Sequence, residues 1–290
     1  MNKDKQNPYK EILKRYPVFS NSLNKFTNIP INKTSFIPQG SCKIDNKTLI
    51  VAYDEKKKKN SIILILDKNN NLINTVSLEG KYHSGAIAYD KKTNSIFIPG
   101  ASGKEQGNTS YVNRYNAKDL LTKEKINATL KIKVDDNNYL KSSINKKSSV
   151  AYLTVHSNYL YIGNFSKKKS IIKKYAIKNN GYLIEKESII NPYPHTQGMC
   201  IYKYKEKNYY IFSSSYGRRN NSTIYISQID KNNNFKTINQ IKLPCLAEQI
   251  NTSNNDLFIL FESCAKKYSK CKIIINDICY LNFEKLLNKN

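Results

Sequence analysis

The chain has no tryptophan, two methionines, three histidines and only 10 glycines in 290 residues. Glycine that sparse goes with missing phosphate cradles: there is no Walker loop, no dinucleotide fingerprint and no Gly-x-Ser-x-Gly nucleophile elbow. Acidic residues are also scarce, at 22 against 48 Lys and Arg, which leaves a formal charge of +26. None of the six cysteines stands in a Cys-x-x-Cys pair, so a structural zinc site is not expected. No apolar run reaches the ~18–20 residues that a membrane-spanning helix requires. The opening Met1-Asn-Lys-Asp-Lys leads into polar sequence and not into a secretory leader.

What is present in quantity is Lys, Asn, Ile and Tyr, the residues that an AT-rich genome encodes readily. The positive balance pulls on polyanions such as nucleic acid, anionic lipid or wall polymer. Yet most of the charge is lysine in connector runs, at residues 56–59, 146–147 and 167–169, where it also blunts exposed strand edges. With no arginine-rich helix, zinc finger or RNA-recognition aromatic motif, specific nucleic-acid binding is not expected.

The organising feature is a repeat. Five segments superpose: PQGSCKID from Pro38, HSGAIAYD from His83, SSVAYLTV from Ser148, TQGMCIYK from Thr196 and AEQINTSN from Ala247. Their anchor residues Gln39, Ser84, Ser149, Gln197 and Glu248 stand 45 to 65 residues apart. Each start is followed by a second apolar run, beginning at Leu49, Ile96, Leu160, Tyr209 and Leu257. A third run follows at Ser61, Tyr111, Ser170, Ser222 and Lys272. Turn-rich links such as Asp67-Lys-Asn-Asn-Asn71, Asn179-Asn-Gly181 and Asp230-Lys-Asn-Asn-Asn234 come next, suited to positive φ. Three or four β-rich runs per unit at this period describe a β-propeller. The expected fold is therefore all-β: a five-bladed propeller of four-stranded antiparallel meanders over residues 36–290, with six blades as the alternative count.

Residues 1–35 form a separate N-terminal extension. Tyr9, Ile12, Leu13 and Tyr16 have a roughly helical spacing that Pro17 is expected to stop. Residues 26–37 are expected to supply an outer strand, and pairing it with the last blade would close the ring. Between Tyr115 and Ser148 the link is too long for a hairpin; residues 119–124 read as a helical turn, 129–134 as a strand and 135–147 as a loop over one face. Residues 280–287 read as a last strand followed by a helical turn.

Inner strands of a propeller start near its axis, so their polar starts converge on one mouth of the channel. Gln39, His83 with Ser84, Ser149, His195 with Gln197, and Glu248 would form that ring. Unpartnered buried polar groups cost roughly 1–3 kcal/mol each, so such a ring points to water or ligand. Tyr53, Gly100, Asn164, Tyr216 and Glu262 follow the second strands and address the same face. Arg218 can hold a carboxylate or phosphate through its planar fork, and Glu248 or Glu262 can pair with Arg218 or Lys266. A carboxylate pair acting on a sugar needs a separation of about 5–9.5 Å. No cofactor is expected, and a metal ion in the central channel would fall to His83, His195 and Glu248. Cys42 and Cys200, three residues after Gln39 and Gln197, read as small buried hydrophobes. In an exported chain a disulfide would join two of Cys264, Cys271 and Cys279, or one of them to Cys245.

These pieces resemble a group of uncharacterised, exported bacterial β-propellers. The likeness rests on IPQGSC at residues 37–42, YHSGAIAYD at 82–90, TQGMCIY at 196–202, SSSYGRRNNSTIYIS at 213–227, and LAEQI with LFILFESCAKKY within 246–268. It implies secretion or display at the cell surface, with a cytoplasmic location as the alternative. A looser likeness, through Thr196-Gln-Gly198 and Ala247-Glu248, is to plant-type glutaminyl cyclases; the tryptophan-containing starts of that family are missing here. Three functions follow as expectations. The first is a monomeric binding module whose channel mouth takes a small polar, anionic or sugar-like ligand through Gln39, Gln197, Arg218, Glu248 and Glu262. The second is an enzyme of cyclase or hydrolase type with Glu248 or Glu262 as general acid/base. The third is a basic scaffold for a polyanion or a protein partner.

Overall fold

Leu49, Ile50, Val51 and Ala52 form an unbroken apolar run because their strand is buried on both faces. Leu49 and Val51 pack toward one neighbouring sheet and Ile50 and Ala52 toward the other. Alternate side chains of a strand point to opposite faces, so a strand sandwiched between two sheets needs apolar residues at every position. The structure is a computed structural model that describes residues 7–31, 34–100, 111–134, 150–253 and 255–288.

Among the described residues twenty strands form five four-stranded antiparallel sheets, the blades of a five-bladed β-propeller. The first strand, β1 (Leu23–Asn28), belongs to the last blade. Blade one holds β2 (Phe36–Ile44), β3 (Lys47–Asp54), β4 (Ile62–Leu66) and β5 (Leu72–Ser77). Blade two holds β6 (Ala88–Asp90), β7 (Ser95–Gly100), β8 (Tyr111–Asn116) and β9 (Leu130–Lys133). Blade three holds β10 (Val150–His156), β11 (Tyr159–Asn164), β12 (Ser170–Ile177) and β13 (Leu183–Asn191). Blade four holds β14 (Thr196–Tyr204), β15 (Lys207–Ser214), β16 (Ser222–Ile229) and β17 (Phe235–Leu243). Blade five holds β18 (Ala247–Ser253), β19 (Asp256–Phe261) and β20 (Asp277–Leu281), and β1 pairs antiparallel with β20 on its outside.

The apolar core divides in the same way. Five clusters of buried side chains each join two adjacent blades: one and two, two and three, three and four, four and five, five and one. No blade owns a core of its own, which is why the units stack around an axis.

The short links follow their sequences. Asp67 Oδ1 accepts from the backbone N–H groups of Asn69 and Asn71, and Asp230 Oδ1 does the same for Asn232 and Asn234, at 2.8–2.9 Å. Asn70, Asn233 and Gly181 take the positive φ those turns require.

Several expectations need correction. Pro17 does not stop a helix but starts one: residues 8–15 are turns, and α1 (Pro17–Ser22) has Pro17 in its first turn. A proline there loses no helical hydrogen bond, because that N–H has no partner anyway. The N-terminal strand ends at Asn28 and not at residue 37. The third strand of blade five is Asp277–Leu281, not the run from Lys272; it precedes α3 (Phe283–Leu287). The insertion in blade two contains α2 (Ala117–Thr122), capped by Asn116, and β9; residues 135–147 lie outside the described residues. The six cysteines stand as free thiols; Cys264 and Cys279 are buried in different clusters, while Cys245 and Cys271, one of the expected pairings, are in hydrogen-bonding contact.

Candidate functional site at the channel mouth

Four of the five inner strands begin with a register shift: at Pro38/Gly40 in β2, Val150/Tyr152 in β10, Thr196/Gly198 in β14 and Ala247/Ile250 in β18. The extra residues are Gln39, Ala151, Gln197 and the pair Glu248-Gln249. A bulge turns its extra side chain out of the strand's alternation, so these positions address the axis. In blade three the bulge falls at Ala151; the expected anchor Ser149 lies outside the described residues.

Gln249 fills the middle. Its Oε1 accepts from the N–H groups of Ser41 and Ile87 at 3.0 and 3.1 Å, and its Nε2 donates to the carbonyls of Ile87 and Leu153 at 2.9 and 3.3 Å. One side chain from blade five thus ties blades one, two and three together. Asn251 adds a bond from Nδ2 to the Ser41 carbonyl at 3.1 Å. This closeness explains the Gln-Gly starts: a Cβ on Gly40 would lie 2.2 Å from Gln249 Oε1, and one on Gly198 2.6 Å from the Ile250 nitrogen. With the axis plugged, the side chains that ring this mouth form the candidate bowl.

On the side of blades five, one and two the bowl is lined by carboxyls and phenols. Glu248 is buried and its side chain makes no hydrogen bond among the described residues. Glu262 follows β19 in a short 3-10 turn, where it accepts from Gln39 Nε2 at 3.1 Å and from the Tyr268 phenol. Burial pushes both carboxyls up, Glu248 well above the usual range with the Glu262 charge adding to it. Glu262 rises to about 7, because the Tyr268 and Gln39 hydrogen bonds and the Lys267 charge hold it back. Tyr53 and Tyr268 feel the same pair: burial first, then the negative potential of Glu262 and Glu248, raises both phenols. His83 sits edge-on to Tyr53 with ring centroids 4.5 Å apart, and burial, with Lys57 and Lys267 nearby, lowers it to about 4. Ser84 Oγ is fully buried without a hydrogen-bond partner among the described residues.

The likeness to solved structures supports the architecture. The chain superposes on an α-L-arabinofuranosidase from Clostridium thermocellum with a TM-score of 0.50 and 12% identity, covering 80% of this chain and 84% of that one. That resemblance shows the fold alone. A Bombyx mori GH32 β-fructofuranosidase matches at a TM-score of 0.44 and 14% identity over 87% of this chain, which spans 59% of that enzyme. The nidogen/laminin complex gives a TM-score of 0.47 and 9% identity over 78% of this chain and 73% of that one. No protein-family model and no curated protein sequence matches the chain.

The remaining expected residues form other groups. His195, at positive φ, stacks on Tyr216 with centroids 4.4 Å apart and leans on Phe165, so it belongs to blades three and four. Gln197 is half-buried on the β14 bulge. Asn164 is taken up by a bond from the Ile171 N–H. Lys266 is exposed, and its neighbour Lys267 is the lysine that reaches Glu262. Arg218 is exposed in a groove with Cys245, Cys271 and the N-terminal turn. Among the described residues no group of three or more His, Cys, Asp or Glu side chains is arranged to hold a metal ion. Gln249, Tyr268 and Lys267 were not picked out by the repeat. Gln249 is hidden one place after the anchor Glu248, and Lys267 and Tyr268 stand only within the piece LFILFESCAKKY, with no role attached to them.

Proposed function

We propose that the chain binds a small, hydroxylated, uncharged ligand in the bowl formed by Gln39, Tyr53, His83, Glu248, Glu262 and Tyr268. The observation that carries this reading is Glu248: a buried carboxyl beside a second one, with no hydrogen bond to its side chain among the described residues. Buried polar groups left without partners cost free energy that a ligand's hydroxyls would recover. A carboxyl held neutral both donates and accepts, and phenols and a neutral imidazole do likewise. Such a surface matches a sugar-like polyol. An anion fits it poorly, because ionising Glu262 would add repulsion.

The test is calorimetric titration of the intact chain with mono- and oligosaccharides at pH 6 and pH 8. Binding is expected to weaken as Glu262 ionises, and Glu248→Ala should lower affinity by at least about tenfold, the loss of one hydrogen-bonding group, while Glu248→Gln, which still donates and accepts, should cost less. Affinity that ignores both the pH and the alanine substitution would overturn the proposal.

A second reading is supported by Glu262 itself, since a carboxyl pushed up to about 7 next to a more strongly raised one is tuned for proton transfer near neutrality. Assays for glycoside cleavage and for cyclisation of N-terminal glutamine test it. An enzyme would lose turnover about 100-fold or more in Glu262→Gln while keeping its fold.

A further inference from the structure

Outside the bowl, the loop after β15, the segment following β19 and the N-terminal turn enclose a groove of about 940 Å³. Six cations line it, Lys14, Arg15, Arg218, Arg219, Lys270 and Lys272, against the single carboxylate of Glu11. Glu11 pairs with Lys14 at 2.5 Å; the other five have no ion-pair partner among the described residues. Composition does not explain this cluster. The chain has 44 lysines and only four arginines, and three of the four, Arg15, Arg218 and Arg219, are here. The fourth, Arg114, is engaged with Ser95 at 2.7 Å.

The walls are fixed. Tyr9 bonds Asp277 and accepts from the Asn276 N–H at 3.0 Å, Leu13 is fully buried, and Tyr16 donates to Asn221 at 2.9 Å across the groove. Asn220 Nδ2 holds the Tyr216 carbonyl at 2.8 Å and so pins the loop that carries both arginines. The backbone that carries the arginines is therefore tied in place, which lowers part of the ordering cost of binding.

We propose that this groove binds an extended oligophosphate. A guanidinium forks onto two oxygens of one oxyanion, and tetrahedral phosphate presents oxygens to two neighbouring arginines at once, as Arg218 and Arg219 require. Five unpaired cations along one groove call for several phosphates in a row.

The experiment is titration of the full chain with inorganic polyphosphate of about ten units, alongside polyglutamate and a single-stranded oligonucleotide of equal charge. Polyphosphate is expected to bind tightest, with log K falling linearly with log salt. Arg218→Ala/Arg219→Ala should weaken it about tenfold or more, and Arg218→Lys/Arg219→Lys, which keeps the charge, about fivefold. These residues are exposed, so unchanged thermal unfolding is the control. A second readout uses Cys245 and Cys271, which line the groove half-buried while the other four cysteines are buried. Polyphosphate should slow their alkylation. Equal binding of polyglutamate, tighter binding of the oligonucleotide, lysine variants that match the parent, or alkylation unaffected by polyphosphate would each overturn the proposal.

Discussion

Glu262 and His83 share the bowl and titrate in opposite senses. Glu262 is raised from 4.5 to about 7, so the folded chain loses stability as pH climbs through that interval. His83 is lowered from 6.5 to about 4, so the fold loses stability as pH drops from 6.5 toward 4. Each term is on the order of 3 kcal/mol, and over the shared window they oppose one another. Removing one should expose the other. Because burial raises Glu248 in the same sense, both carboxyls must go: Glu248→Gln/Glu262→Gln is expected to leave a chain whose melting temperature falls on acidification between pH 6.5 and 4. His83→Gln should leave one whose melting temperature falls as pH rises from 4.5 to 7. Thermal melts across that range check both, and parallel profiles would refute the assignment. The sequence made Glu248, Glu262 and Gln39 legible as a convergent set, because each occupies a repeated position. It could not show Lys267 in place of Lys266, since consecutive residues of a short 3-10 turn face different ways and no periodicity records which.

At the scale of the element, the inner-strand bulge governs the mouth. It sets Gln39 and Gln197 off the strand's alternation, and in those two strands the close approach of blade five demands glycine immediately afterwards. Gly40→Ala would place a methyl 2.2 Å from Gln249 Oε1 and 2.9 Å from the Ala86 Cα. A loss of about 3 kcal/mol or more is expected in denaturant unfolding. In a Gln249→Ala background the same change should cost less, because the nearest obstacle is gone while the Ala86 backbone remains. Equal costs in the two backgrounds would sink the account of the plug. The Gln-Gly pairs were visible as a recurring start, but their reason was not: it lies in a side chain from a distant blade. β1 is the other element with a role beyond its own residues. A chain beginning after Asn28 would leave β20 as an open edge, so a lower melting temperature and self-association in size-exclusion chromatography are expected. The pairing of an N-terminal strand with the last blade was readable from the edge problem itself; its limit at Asn28 was not, because Ile29 and Ile31 continue an apolar pattern while packing outside the strand.

For the whole molecule, the period near fifty residues and the runs apolar at every position made the propeller legible, since stacking such units around an axis covers both faces of each meander. Closure at five blades follows from where β1 goes, a long-range fact that no local pattern states. The same chain holds 48 Lys and Arg against 22 Asp and Glu on one body. Its described ion pairs are few, and three of them, Lys14–Glu11, Lys123–Asp119 and Lys203–Glu206, are exposed on both sides; pairs of that kind contribute about 0–1 kcal/mol. Repulsion among the unpaired lysines therefore dominates the long-range electrostatics and opposes compactness. Salt screens it: the Debye length shrinks from about 30 Å at 0.01 M to about 8 Å at 0.15 M. The melting temperature is expected to rise by several degrees as sodium chloride is raised over that range, and to level off beyond it. Substituting surface lysines 56–59 with glutamine should reduce the rise without altering the fold. A melting temperature that falls with salt would mean that attractive pairs outweigh the excess charge, contrary to the balance of the sequence.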